Sequence, residues 1–421
     1  MSEATRLFAR LGPGLLFAGA AIGTSHLVQS TRAGALYGLG LLLIVLVANV
    51  LKYPAFRFGP AYAAATGMSL IEGYRRLGRG AVLLIAVSQY VVQVIILAAV
   101  GVTTAGLAAA TLGLSVPPPQ LAVGLLVAAM VMMTTGGFRL LELLTKAFIV
   151  LLTLATVTAT ALVLPGVDWS PGNFVPPPFS APLLFFLVAL IGLMPSALDL
   201  SILHSLWSVA KARSEGAPAS HDDAVLDFDI GYFGSAGLAL CFVIMGAGLM
   251  HEQGTVPDPS PVGFAGQVIA LYEASLGRGA ALLVGCAAFG VMFTTVITIL
   301  DGFPRVHAAA WFTLRNEDGR VHEALDRGLP LRLVAVSQVL LASGILLFLM
   351  GNFLAFIDVM TTAAFLVGPI IAVLNHLVMT SDDVPVELQP SRLLRVWSGV
   401  CIVTLTLITI AYLYVRFGAA A

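Results

Sequence analysis

A succession of long apolar runs limits what this chain can fold into more than any other feature. A helix needs about 20 mostly apolar residues to cross a bilayer. Eleven stretches qualify: 12–34, 37–62, 81–111, 119–136, 140–164, 181–211, 230–249, 279–300, 331–350, 353–379 and 396–414. The third and sixth are longer than a bilayer requires, which tilting or extension past the membrane accommodates. All far exceed a barrel strand and lack period-two alternation, so they predict a helix bundle. Composition agrees. Of 421 residues, 59% are hydrophobic and 10% charged, where a soluble domain carries about 25% charged. A water-soluble or disordered chain is thereby excluded. Lys and Arg total 21 against 22 Asp and Glu, a net charge of −1, so nucleic acid is not an expected partner. Cys241, Cys286 and Cys401 lie far apart in apolar runs and read as free buried thiols.

Orientation follows from the basic residues. With the N-terminus inside, eighteen fall on or near the inner side: Arg6, Arg10, Lys52, Arg57, Arg75, Arg76, Arg79, Arg139, Lys146, Lys211, Arg213, Arg305, Arg315, Arg320, Arg327, Arg332, Arg392 and Arg395. Arg32, Arg278 and Arg416 fall outside. The expectation is a multi-pass cell-membrane protein, N-terminus cytoplasmic and C-terminus extracytoplasmic. Arg6 and Arg10 precede a run too long for a signal peptide. Residues 264–276 read as an amphipathic outer helix, with Phe264, Val268, Ile269 and Tyr272 at helical spacing.

Two runs are interrupted. The first contains Gly23, Thr24, Ser25, His26 and Gln29 near mid-membrane, and the sixth contains Met194, Pro195, Ser196 and Asp199. Pro195 lacks a backbone donor and clashes with the preceding turn. The prediction is unwinding at Gly23–Ser25 and Leu193–Ser196. The breaks are five spans apart, the sign of an inverted-repeat transporter that binds substrate between broken helices at the midplane. The expected fold is all-α: two five-helix repeats (1–164 and 181–379) plus an additional helix at 396–416, of LeuT type.

Gly12-Pro-Gly, the polar break and Arg32-Ala-Gly-Ala resemble the first helix of the Nramp family of proton-coupled divalent metal transporters. Thr135-Gly-Gly-Phe-Arg-Leu-Leu-Glu resembles its fifth-helix entry, Met194-Pro195 its Met-Pro-His, and Gly368-Pro369 fits its tenth helix more loosely. The resemblance implies an eleven-helix LeuT-type fold. The family's first-helix Asp-Pro-Gly-Asn aligns with Gly23, Thr24, Ser25 and His26, so the ligating carboxylate is absent. Met194 keeps the thioether position, Ser196 replaces the His, and Thr362 falls at the tenth-helix Gln position. The third helix offers Gln89 and Gln93 where the family carries acids on its proton path.

The site expected is therefore Gly23, Thr24, Ser25, His26, Met194, Pro195, Ser196, Asp199 and Thr362. His26, Met194 and Asp199 are the candidate metal ligands, a donor set softer than Mg2+ prefers. Asp199 reads equally as a complement to a helix N-terminus or as a functional intramembrane acid. His26 reads as a ligand or proton carrier, or as a satisfied polar residue. His204 reads as vestibule lining or packing. Arg32 and Asp358 are a candidate gate pair toward the outer side, and Glu142 with Lys146 an i,i+4 ion pair. No phosphate loop or nucleophile–base pair is present, so neither a cofactor nor enzymatic activity is expected. The expected partners are the bilayer and a metal-ion or small-molecule substrate, with a monomer plausible. Two functions stay open: divalent metal transport through an altered site with weakened or absent proton coupling, or a LeuT-fold carrier for a small organic or zwitterionic solute.

Overall fold

The computed structural model describes residues 13–135, 138–216, 220–316 and 329–418, without the side chains of 15, 134–145 and 329–330. Among the described residues there are helices and no strand. Eight helical stretches are long and apolar enough to cross a membrane: Ser25–Thr66, Arg79–Leu112, Lys146–Gly166, His221–His251, Arg278–Leu314, Leu331–Leu349, Phe353–Met379 and Arg392–Gly418. Pro118–Met133 and Ala181–Gly192 are shorter apolar helices. Ser25–Thr66 carries the first expected run into the second through a turn at Gly38, whose φ of +56° suits glycine. The amphipathic helix expected at 264–276 spans Pro261–Leu276 and buries Phe264, Val268 and Tyr272. The cysteines are free thiols. Most of the fifth-helix motif at Thr135–Glu142 and the Glu142–Lys146 pair lie outside the described side chains, and Arg6, Arg10, Arg320 and Arg327 lie outside the described residues.

The centre of the bundle is built by α1 (Pro13–Ala21), α2 (Thr31–Tyr37), α3 (Leu42–Thr66), α4 (Arg79–Leu112), α5 (Ala181–Gly192), α6 (Leu200–Glu215), α7 (His221–Gly246), α8 (Arg278–Leu314) and α9 (Phe353–Met379). Side-chain oxygens start several of them. Ser180 accepts from the Leu183 N–H at 3.3 Å, and Ser220 from the Asp223 N–H at 3.1 Å. Asp227 of α7 reaches across to the start of α1, where the Gly14 N–H donates to its carboxylate at 2.8 Å. A carboxylate there also complements the helix dipole.

Small residues let α7 press against both halves of the first span. A Cβ on Gly231 would sit 2.2 Å from the Gly14 carbonyl oxygen, and one on Gly246 would sit 2.4 Å from that of Thr31. A Cβ on Gly34 would sit 2.1 Å from the Val243 carbonyl oxygen. These are backbone-to-backbone contacts, the close approach that small residues permit in membranes. Because backbone cannot step aside, Gly246→Leu is expected to destabilise the protein by about 1–3 kcal/mol or more. A clear drop in the melting temperature of the purified protein checks this, and an unchanged melting temperature would contradict the seam.

Candidate functional site

Both interruptions are real breaks. After α1 the backbone leaves the helix at Ile22 and Gly23, then resumes as a π turn, Ser25–Ser30, that leads into α2. The first break therefore falls one residue earlier than expected, and Ser25 is already helical. In the sixth span, Leu193–Asp199 is non-helical between α5 and α6. This contains the predicted Leu193–Ser196 and runs three residues further. Pro195 cannot donate a hydrogen bond, and helix geometry resumes only at Leu200.

A cavity of about 60 Å³ lies between the breaks. Gly23, Thr24 and Ser25 line it from the first, and Ser196, Ala197 and Asp199 from the second. Gln93 of α4, Thr295 and Thr298 of α8 and Met360 of α9 complete its polar and thioether lining. Asp199 is its one carboxylate and is buried. It occupies the N-cap position of α6 without capping it, and accepts instead from the Gln93 side-chain amide. Gln93 gives its second donor to the Gln89 side-chain oxygen, Oε1, at 3.3 Å. Both donors are then committed, and the Gln93 Oε1 atom is buried without a partner, as is Thr24 Oγ1. The cavity is thus lined by a carboxylate and by two residues, Gln93 and Thr24, whose side-chain oxygens lack a partner. Such a set invites a cation or water, because an unpaired buried oxygen costs about 1–3 kcal/mol.

Other expected site residues are placed elsewhere. His26 is fully buried and faces α7, not the cavity. Its Nε2 lies 2.8 Å from the Ser235 carbonyl oxygen and must donate to it; its Nδ1 pairs with the Ser25 hydroxyl at 2.7 Å. Both ring nitrogens are engaged, which leaves no lone pair for a metal. Met194 is also buried away from the cavity, its sulfur 3.6 Å from the Ser30 hydroxyl. The expected convergence of His26 and Met194 on one polar cavity is corrected accordingly. Pro195 and Thr362 do not line it either; the neighbouring positions Ser196 and Met360 do. Among the described residues no group of three His, Cys, Asp or Glu side chains is placed to hold a metal. His204 packs among Phe17, Phe228 and Trp207, with ring centroids 5.7, 5.8 and 6.4 Å away.

Arg32 and Asp358 do come together. The guanidinium meets the carboxylate through two hydrogen bonds of 2.7 and 3.1 Å, a bidentate pair between α2 and α9. Gln29 bridges the pair, accepting from Arg32 at 2.9 Å and donating to Asp358 at 3.0 Å. Arg32 also stacks over the Phe186 ring at 5.2 Å.

Lys52 was counted among the inner basic residues, and that placement is corrected. It is 2% exposed, inside the bundle, with its ammonium at the break of the sixth span. The signal was available, since a lysine flanked by apolar residues is costly in a membrane unless it is used.

No family model matches the chain. The uncharacterized protein PM0681 of Pasteurella multocida (strain Pm70) is 36% identical over 304 residues, 71% of this chain and 70% of that protein. The two proteins belong to one family. Among solved structures, a mutant of the Eremococcus coleocola manganese transporter superposes with a TM-score of 0.68 over 99% of this chain and 89% of its own, at 16% identity. The same transporter in complex with an aromatic bis-isothiourea substituted compound gives 0.69 over 97% and 87%, at 14% identity. The inward-facing conformation of Mhp1 gives 0.56 over 96% and 90%, at 13% identity. This family therefore has the Nramp fold, of LeuT type, and is a multi-pass membrane protein family. The resemblance seen in the sequence holds at the level of the fold.

Proposed function

We propose that this chain is a secondary active transporter of a divalent metal cation, which it binds weakly in the Asp199 cavity and moves with little or no proton coupling. The observation that carries this reading is the lining: one carboxylate, beside Gln93 and Thr24 whose side-chain oxygens are buried without a partner, around a void between two broken helices. Apart from the Met360 thioether the donors are oxygen, which suits Mn2+ or Mg2+ better than Zn2+ or copper. The manganese transporters that share the fold favour the same substrate class. Proton coupling is weak in this reading because α4 contributes Gln93, Ile96 and Val100 to the cavity and no acid.

The reading includes an eleven-span topology with the N-terminus cytoplasmic, repeats at 1–164 and 181–379, and a helix added at 396–416. Arg32 and Asp358 serve as a gate on the extracytoplasmic side. Flux into proteoliposomes tests the function directly. Slow Mn2+ or Mg2+ uptake that ignores an imposed pH gradient is expected, with Zn2+ slower. Amino-acid uptake without any metal uptake would replace this reading with the organic-solute carrier.

A further inference from the structure

The α5 helix ends at Gly192, so its last carbonyls lack intrahelical partners. Those of Ile191 and Gly192 converge with that of Ser196, from the unwound segment, on a single point. The Lys52 Nζ sits there, donating to them at 2.9, 3.1 and 2.9 Å. All three ammonium protons are thus used. The Phe56 ring closes another side, its centroid 5.5 Å from Nζ. Carbonyl oxygens of a broken membrane helix with an aromatic face beside them form a cage for a monovalent cation. Here the cation is covalently tethered to α3.

We propose that the sixth-span break contains a monovalent-cation site, of ammonium or K+ size, which this chain keeps filled with its own lysine. The site differs from the Asp199 cavity but shares a wall with it, because Ser196 lines the cavity with its residue and the cage with its carbonyl. Through its three bonds the lysine Nζ ties the end of α5 to the unwound segment. The unwound segment is thereby held without an exchangeable ion, and the lysine takes the position that a coupling ion could otherwise occupy. The inference stands whether or not the chain carries a divalent metal.

Lys52→Ala empties the cage and leaves room for a free ion. Melting temperatures of detergent-purified wild type and variant are compared in ammonium, potassium and choline chloride at equal ionic strength. The variant is expected to melt about 2 °C or more higher in ammonium or potassium than in choline, while the wild type melts alike in all three. Lys52→Met fills the same space with an apolar chain and should show no such response. Equal melting of Lys52→Ala in the three salts would overturn the proposal, leaving the lysine as a helix cap. A wild type stabilised as much as the variant would overturn it too, since the ion would bind elsewhere. If Lys52→Ala does not survive in choline, the yield of folded Lys52→Ser decides: higher yield in ammonium or potassium supports the site, and equal yields in all three salts reject it.

Discussion

Gly23→Asp is expected to bind Mn2+ about 10- to 100-fold more tightly than the native chain, a gain of ~1.4–2.8 kcal/mol. Gly23 lines the cavity and aligns with the acid of the Nramp first-helix motif. There is space for the side chain. A Cβ at Gly23 would meet nothing closer than the Met292 sulfur and a Thr295 methyl, both 3.8 Å away. Its backbone does not take a positive φ either, so an aspartate fits without strain. The second carboxylate would face Asp199, and two negative charges offset a divalent ion where one does not. Without metal the two acids repel, so one holds a proton until the metal displaces it. Affinity should therefore rise more steeply with pH in the variant than in the native protein. Calorimetry at two pH values measures both effects. An affinity unchanged by the new carboxylate would place the metal somewhere other than this cavity.

Asp199→Asn should produce the opposite pair of effects: cation binding falls by about 100-fold, ~2.8 kcal/mol, while the fold becomes no less stable. A buried carboxylate is expensive in a membrane interior. Asparagine keeps the shape and one acceptor oxygen for the Gln93 amide that now bonds Asp199. If Asp199 only complemented the positive end of α6, its neutralisation would lower the melting temperature and leave binding alone. Titration of Mn2+ alongside thermal unfolding separates the two roles.

The breaks were readable because their causes are single residues. Pro195 removes a donor wherever it stands, and a glycine among hydroxyl side chains weakens a helix. The Arg32–Asp358 pair was readable because two charges at one level of the membrane need each other. The inward-facing residues were read less well. The π turn at Ser25–Ser30 packs an extra residue into a turn, which carries His26 round to Ser235 on α7. Nothing in the local sequence marks that insertion. Counting along α9 to Thr362 failed in a similar way. One residue on a helix is a rotation of about 100°, and it is Met360, two residues earlier, that lines the cavity, while Thr361 accepts from Gln29. Lys52 was misread because counting basic residues assumes that each sits in a loop. The Ser196 carbonyl is held by Lys52 of a distant helix, a tertiary contact that the local sequence does not mark.

The glycine seams also determine how this molecule can move. Gly231 holds α7 against α1 on one side of the first break, and Gly34 and Gly246 hold it against α2 on the other. One continuous helix is thus riveted to both pieces of a discontinuous one. The gap at Ile22 and Gly23 cannot work as a free hinge, since bending there would shear two backbone contacts at once. The broken helix and α7 form a single rigid lever. In the proposed transport, opening the cavity to either side would tilt that lever as a whole against α4, α8 and α9.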